Sequence, residues 1–298
     1  MPSTSIFESR TSETHVRKGN VNLDPTYTNA FDLGYLKRWD KLTKERKIAL
    51  PIIAEKYYDF LLLNENLIGF TNEIIEIRTV ALNKYYDFIS DNNYDNVFTS
   101  QGKFRPTIIE EFMYFLFRDL INLKKEEIND DENNINIGGT RAYTNLFFSG
   151  SSFKEFVVSP KIGINQKDQD FAIYRSIDIT VGKSNIVKTN LPIIAIENKT
   201  YIDKTMLEGS IATAEKIKSG NPYSMYFIVT ENYDVDLKID PAYSKINQIY
   251  VLRKGKRKGV LKPIHSDVLI DLVKQVENHL NRNWSNVEAK MINKGKII

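Results

Sequence analysis

The stretch Pro192-Ile-Ile-Ala-Ile-Glu-Asn-Lys199 is an apolar run that ends in two charged residues separated by one position. Side chains alternate between the two faces of a β-strand, so Glu197 and Lys199 share one face while Ile194 and Ile196 point to the other. Charged groups at the edge of an apolar core are costly unless they are paired or bind an ion. We therefore predict that this strand carries a metal-dependent active site.

A second strand, which we predict over residues 171–181, begins beside the carboxylate that such a site needs. Its odd positions are mostly apolar and its even positions are small or polar, which is the pattern of a strand with one buried face. Asp170 and Asp178 both fall on the even face. Either aspartate is a candidate metal ligand, and the pairing of the two strands decides between them.

The turn that joins the two strands determines which aspartate faces Glu197. A two-residue turn within Gly182-Lys-Ser-Asn185 pairs Asp170 with Glu197, whereas a turn at Val187-Lys188 pairs Asp178 with it. Gly and Asn form turns and Val does not, so the first register is better supported. A bulge, or the break in the ladder expected near Pro192, would weaken this arithmetic.

Length and composition indicate a globular protein with a substantial core. The chain has 298 residues, of which 42% are hydrophobic, and a net charge of +3. Its length and hydrophobic fraction are sufficient for the core of one large domain or of two small ones. The sequence has no cysteine, which excludes disulfides and thiolate metal sites and suits a reducing compartment. We find neither a signal-peptide pattern nor an uncharged apolar run near the roughly 18 residues of a membrane span. A cytoplasmic location is therefore expected.

The order of the predicted elements indicates an α/β fold. Residues 33–90 show helical spacing, and from residue 106 onward we predict the order helix, strand, strand, strand, helix, strand. These six elements are placed at 106–123, 153–164, 171–181, 191–199, 206–218 and 224–230. The polar, Asn- and Gly-rich stretch 129–139 is predicted to be a loop.

The remaining segments are assigned by composition. Residues 1–30 lack periodicity and are predicted to form a polar arm. The basic run Arg253-Lys-Gly-Lys-Arg-Lys258 surrounds a glycine and is interpreted as a charged hairpin tip within reach of DNA phosphates. A short strand at 249–252 and a helix at 267–280 are predicted on either side of it. We divide the chain into an N-terminal arm and helical region, 1–100, and a core with C-terminal additions, 101–298.

Two carboxylates and a lysine on adjacent strands suit a hard divalent cation. Asp170, Glu197 and the backbone carbonyl of Asn198 offer the oxygen ligands that Mg²⁺ prefers, and Mg²⁺ keeps several waters. Lys199 would stand beside one of those waters, where its ammonium stabilises a hydroxide or orients it for attack on a phosphodiester. The predicted chemistry is metal-assisted phosphodiester hydrolysis.

These residues resemble the PD-(D/E)xK nuclease superfamily, to which most type II restriction endonucleases belong. The strings Lys167-Asp-Gln-Asp-Phe-Ala-Ile173 and Glu197-Asn-Lys-Thr-Tyr-Ile-Asp-Lys-Thr-Met206 are more narrowly similar to restriction enzymes related to the heterodimeric Bpu endonuclease that reads CCTNAGC. The resemblance covers residues 105–235. It implies a restriction-endonuclease-like core, an αβββαβ mixed sheet flanked by helices.

The resemblance also implies roles for individual residues. Asp170 would be the metal ligand, in agreement with the favoured register. A glutamate of the preceding helix would support the metal site, which points to Glu110 or Glu111, and we take Glu110 as the candidate. Gln169 stands where the superfamily pattern has a proline.

The function that follows is a Mg²⁺-dependent type II restriction endonuclease, or a subunit of one, that cuts double-stranded DNA at a specific sequence. One centre cuts one strand, so a double-strand break implies a homodimer or a heterodimer with a related subunit. A cognate methyltransferase is expected in the same bacterial system. Two alternatives stay open: a catalytically inactive DNA-binding specificity subunit that keeps the nuclease fold, and a nuclease of repair or mobile elements.

Overall fold

The computed structural model describes residues 43–97, 104–130, 134–181, 185–258, 261–282, 284 and 287–295. The polar arm predicted at residues 1–30 lies outside these ranges. Within them, no helix is long and apolar enough to cross a membrane.

Two long helices, α1 (Lys44–Asn66) and α2 (Asn72–Asp91), and the short α3 (Tyr94–Val97) confirm the helical N-terminal region. Each long helix begins at a threonine whose hydroxyl accepts a hydrogen bond from a backbone N–H of the first turn, Thr43 for α1 and Thr71 for α2. Their buried faces pack together with the sheet in one continuous apolar core. The N-terminal helices therefore share their core with the elements that follow.

Helix α4 (Pro106–Glu127) is confirmed with its apolar face inside the protein. Pro106 occupies the first turn, where its missing N–H costs nothing. The residues of the buried face recur at helical spacing: Ile108, Ile109, Phe112, Phe115, Leu116 and Leu120. The helix extends four residues beyond the predicted end, which places Lys124 and Lys125 in its last turn, the position that the helix dipole favours for cations.

A five-stranded mixed sheet forms the centre of the molecule, in the order β1-β2-β3-β4-β5. The strands are β1 (Ile135–Ser149), β2 (Lys161–Val181), β3 (Asn185–Ile202), β4 (Met225–Tyr233) and β5 (Gln248–Val251). β1, β2 and β3 pair antiparallel in sequence, whereas β4 and β5 run parallel to β3. Between β1 and β2 lies the short helix α5 (Phe153–Val158).

Helices cover both faces of this sheet. Helix α6 (Lys204–Gly220) connects β3 to β4 and packs on one face through Leu207, Ala214 and Ile217. Helices α1, α2, α4 and α7 (Ser266–Asn281) pack on the other face, and α8 (Val287–Lys294) follows near the C-terminus. The predicted α/β class, an αβββαβ mixed sheet flanked by helices, is confirmed.

The first predicted strand, 153–164, is wrong in its first half. Residues 153–158 form α5, and the first strand of the sheet is β1, which begins inside the predicted loop 129–139. The sequence Ser152-Phe-Lys-Glu155 is a helix-start pattern, and the Ser152 hydroxyl accepts from the Glu155 N–H as that pattern requires. The Asn- and Gly-rich start of β1 forms a strand because pairing with β2 outweighs its low intrinsic preference for a strand.

The pairing of β2 with β3 gives the favoured register at the site. Phe171 pairs with Ile196 and Ile173 with Ile194, so the ladder brings Asp170 and Glu197 opposite each other. The predicted length of the turn, two residues, is nevertheless wrong, because Val181 pairs with Asn185 and three residues separate them. A register shift after Ile173 compensates for that extra residue.

The basic run contains the expected turn, with Lys254 in the left-handed region at φ 46°. Its first member, however, does not lie at an exposed tip. Arg253 is 1% exposed and its Nε donates to Glu231 Oε2 at 2.8 Å. Lys254 pairs with Asp267 and Arg257 with Asp234. Three of the five cations of this run are therefore engaged within the protein.

Candidate metal centre

A cavity of about 400 Å³ lies where β2 and β3 meet the first turns of α6. Residues 167–170 of β2 form one wall, and Glu197 and Lys199 of β3 form another. Met206, Gly209 and Thr213 of α6 complete it. The structure thus brings three of the residues predicted from sequence, Asp170, Glu197 and Lys199, to a single cavity.

The Lys199 ammonium stands between the two carboxylates. Its Nζ lies 2.9 Å from Glu197 Oε1 and 3.8 Å from Asp170 Oδ2. Both carboxylates therefore face the same cation, the Lys199 ammonium. All three side chains are partly buried, which strengthens their mutual attraction relative to bulk water.

Asp170 is held by the backbone of the neighbouring strand. Its Oδ2 accepts a hydrogen bond from the Asn198 N–H at 2.9 Å. The Asn198 side chain is 2% exposed and, by strand alternation, lies on the face opposite Glu197 and Lys199. Only the backbone of Asn198 therefore belongs to the site, and its carbonyl oxygen stays a predicted metal ligand.

Glu197 has a partner that the sequence did not reveal. The Tyr226 hydroxyl, on β4, donates a hydrogen bond to Glu197 Oε2. Burial by itself raises the pKa of Glu197, but the Lys199 ammonium and the Tyr226 hydroxyl outweigh burial and lower that pKa below its usual value. Glu197 is therefore ionised at neutral pH and held in one orientation.

Lys199 is protonated in this arrangement. Burial lowers the pKa of its ammonium, but the negative charges of Asp170, Glu197 and Glu110 outweigh burial and raise the pKa above its ordinary value. A lysine with a raised pKa carries its positive charge at neutral pH. In this state the Lys199 ammonium attracts both carboxylates.

The two candidate glutamates of α4, Glu110 and Glu111, differ in their surroundings. Glu111 is 1% exposed, and both of its carboxylate oxygens accept from the Tyr57 hydroxyl at 2.9 Å, so it is committed to packing between α4 and α1. Glu110 lies near enough to Lys199 for its negative charge to help raise the pKa of the ammonium. Glu110 stays the predicted supporting residue, and the buried hydrogen bonds of Glu111 to Tyr57 leave Glu111 a structural role.

Asp178 lies far from the cavity. It is exposed and pairs with Lys188, eight residues further along β2 than Asp170. At about 3.3 Å per residue this separation is on the order of 25 Å. The structure brings Asp170, and not Asp178, to Glu197 and Lys199.

The donor set fits Mg²⁺. Among the described residues, no three acidic, histidine or cysteine side chains lie close enough together to hold a metal by themselves. Mg²⁺ does not need such a cage, because it commonly binds through one or two carboxylates and keeps several waters. Asp170 and Glu197 meet that requirement, and the cavity beside them leaves room for waters and a phosphate.

This mixed sheet, with an aspartate facing Glu-x-Lys on the adjacent strand, defines a restriction-endonuclease-like fold of the PD-(D/E)xK class. A solved chain of the native BbvCI A2B2 tetramer, determined at low resolution, superposes with a TM-score of 0.62 at 20% sequence identity. The match covers 85% of this chain and 99% of that chain. At this identity the likeness supports the fold alone.

Residues 101–262 match the Bpu10I restriction endonuclease family. The chain belongs to that family, and the resemblance of the strings around Asp170 and Glu197 is confirmed. No curated protein sequence matches the chain.

Proposed function

We propose that the chain is a Mg²⁺-dependent type II restriction endonuclease, or a subunit of one, that hydrolyses phosphodiester bonds of double-stranded DNA at a specific sequence. The observation that supports this most is the Lys199 ammonium held within 4 Å of carboxylates from two neighbouring strands. A structural ion pair needs one acid and one base. The second acid beside an open cavity supplies the pair of carboxylates through which Mg²⁺ commonly binds in proteins.

Asp170 and Glu197 would hold the metal, together with the backbone carbonyl of Asn198. When bound, Mg²⁺ would lower the pKa of a coordinated water and neutralise charge that develops on the phosphate. The Lys199 ammonium would orient the attacking water and stabilise the negative charge of the transition state. Tyr226 would keep the Glu197 carboxylate in place, and Glu110 would add negative charge that favours the cation.

A double-strand break needs two centres, because one centre cuts one strand. We propose that the chain acts as a homodimer or with a related subunit of the same fold. The BbvCI enzyme is described as an A2B2 tetramer, which is consistent with an assembly of related subunits in this class. A cognate methyltransferase and a cytoplasmic location in a bacterium belong to the same proposal.

Digestion of a supercoiled plasmid tests this function. The chain, alone and together with the product of any related neighbouring gene, is incubated with the plasmid in Mg²⁺ and, as a control, in excess chelator. We expect discrete nicked or cut products in Mg²⁺ and none with chelator. A smear of fragments would indicate a repair or mobile-element nuclease, and intact plasmid under every Mg²⁺ condition would indicate a DNA-binding subunit without catalysis.

A further inference from the structure

The turn that follows β5 lies at the same edge of the sheet as the candidate metal centre. Lys199 pairs with Thr230 of β4, and Thr230 pairs with Val251, the last residue of β5. Neighbouring strands are about 4.8 Å apart, so β5 ends on the order of 10 Å from the backbone of Lys199. Residues 254–258, which we call the basic turn, begin three positions beyond that end.

The basic turn folds back past the end of β4 to reach β3. The Arg257 N–H donates to Asp234 Oδ1 at 2.9 Å, and Asp234 follows the last residue of β4. The Arg257 guanidinium lies over the Tyr201 ring, 3.9 Å from the ring centroid. Tyr201 is two residues beyond Lys199 on β3, a separation of about 7 Å along the strand. The basic turn is therefore fixed beside the strand that carries the candidate centre.

Arg257 is held in place and still accessible from solvent. Its Nε lies 3.3 Å from Asp234 Oδ2, and its side chain is 54% exposed. Within the described part of the chain, no residue accepts a hydrogen bond from its two terminal nitrogens. Stacking on a ring and pairing through Nε restrict the rotamers of an arginine before it binds anything. The two terminal nitrogens that remain match the two oxygens of a phosphate.

The surroundings of the basic turn carry an excess of positive charge. The Lys262 ammonium belongs to them, because its Nζ lies 3.7 Å from the position of a Cβ built on Gly255. Lys256 and Lys258 are exposed and form no ion pair with any residue that the structure describes. The six cations are Arg253, Lys254, Lys256, Arg257, Lys258 and Lys262, and the three carboxylates paired with members of this group are Glu231, Asp234 and Asp267. Cations that the protein does not neutralise hold counterions, which a phosphate backbone displaces.

The distance between the basic turn and the candidate centre favours a long polyanion as the ligand. With Tyr201 about 7 Å from Lys199 along the strand, the Arg257 guanidinium lies roughly 10–15 Å from the centre. Each strand of a DNA duplex carries one charge for about every 3.4 Å of the helix axis. A duplex at the centre therefore presents a second phosphate to the turn a few nucleotides away. A ligand as small as one phosphate could not contact both.

We propose that the basic turn binds the DNA backbone, with Arg257 as the fixed contact to a phosphate near the one that reacts and with Lys256 and Lys258 on neighbouring phosphates. Tyr201 is the positioning residue, because its ring holds the Arg257 guanidinium. The proposal deepens the proposed function and rests on it for the identity of the duplex as substrate. DNA binding is measured in excess chelator, without metal or cleavage. Failure of this site and failure of the nuclease proposal are therefore distinguishable.

The first test measures the affinity of the full chain for a fluorescent duplex of random sequence, by anisotropy in excess chelator and at several salt concentrations. Each phosphate contact adds about 0.9 to the steepness with which log K falls against log salt. We expect Lys256→Ala with Lys258→Ala to lower that steepness by about two and the affinity near 0.1 M salt by about 50-fold. The matched control, Lys84→Ala with Lys216→Ala, removes two exposed lysines from α2 and α6. Its salt dependence should equal that of the unmodified chain.

A second test separates the position of Arg257 from its charge. Tyr201→Leu removes the ring and leaves every cation in place, whereas Tyr201→Phe keeps a ring. We expect Tyr201→Leu to weaken DNA binding by about five- to tenfold, as the loss of one phosphate contact does, and Tyr201→Phe to bind normally. Arg257→Lys keeps the charge without the planar fork and should resemble Tyr201→Leu. The two changes combined should weaken binding no further, because both remove the same contact.

The proposal is overturned if the double lysine variant and its control depend on salt in the same way. Normal DNA binding by Arg257→Lys would also overturn it, and this surface substitution decides the matter even if circular dichroism shows that Tyr201→Leu does not fold. An unmodified chain that fails to bind the duplex at low salt would overturn it as well.

Discussion

Lys199→Ala is expected to abolish Mg²⁺-dependent DNA cleavage while DNA binding persists. The ammonium lies 2.9 Å from Glu197 Oε1 and is protonated, so its loss removes the fixed cation beside the reacting phosphate. Removing one such preorganised group typically lowers the rate by about 10²–10³-fold. We expect a loss of cleavage rate of about that size.

Single-turnover cleavage at saturating enzyme measures this effect without interference from product release. Lys204→Ala is the matched control, since its side chain is 70% exposed and lies 3.8 Å from Glu208 on the surface of α6. That variant should cleave at close to the normal rate. Both variants should bind DNA in a gel-shift assay. A Lys199→Ala protein that cleaves within a few-fold of normal would show that the catalytic cation lies elsewhere.

Glu231→Ala is expected to be the most destabilising single change. Glu231 is 1% exposed. Its carboxylate accepts two hydrogen bonds from Arg105, at 3.0 and 2.9 Å, and one from Arg253, at 2.8 Å. Without this carboxylate, two guanidinium groups are left close together, one of them 1% exposed. Removing one partner of a buried ion pair costs about 3–5 kcal/mol. The consequence also reaches the site, because Arg105 immediately precedes α4, the helix that carries Glu110.

Urea denaturation, followed by circular dichroism, gives the free energy of unfolding for this comparison. Glu208→Ala removes an exposed glutamate from its ion pair with Lys204 and should change that free energy by less than about 1 kcal/mol. Equal effects of the two substitutions would mean that Glu231 is not the centre of a buried charge network.

Much of the site could be predicted because its signals are local. Glu197-x-Lys199 follows an apolar strand, and alternation alone places both charges on one face. Identification of Asp170 depended on the register of β2 against β3. The turn between these strands is one residue longer than predicted, and the register shift after Ile173 offsets that extra residue. The structure therefore places Asp170 opposite Glu197 as the favoured register predicted, although the turn on which that register was based is longer than predicted.

The parts that could not be predicted depend on contacts between distant segments. Tyr226 reaches Glu197 because β4 runs parallel to β3, and the register of parallel strands is set by the packing of the α6 crossover and not by any local pattern. Burial of Arg253 depends on its hydrogen bond to Glu231 and on the Tyr86 ring, over which its guanidinium lies. The surrounding run of cations indicates a solvated turn, and nothing in that run reveals a buried carboxylate 22 residues earlier in the chain.

The measurement that tests the central claim most directly is Mg²⁺-dependent cleavage by Asp170→Asn beside Asp178→Asn. Each variant removes one negative charge from the same strand and leaves a side chain of the same shape, so they differ only in position. The amide oxygen of an asparagine at position 170 can still accept the hydrogen bond from the Asn198 N–H, so the fold around the site should persist.

If Asp170 and Glu197 hold the metal, Asp170→Asn should lose cleavage by about 10²-fold or more, while Asp178→Asn cleaves normally. Isothermal titration of Mg²⁺ into each protein should show the same contrast in affinity. An active Asp170→Asn protein together with an inactive Asp178→Asn protein would contradict the account of the metal centre.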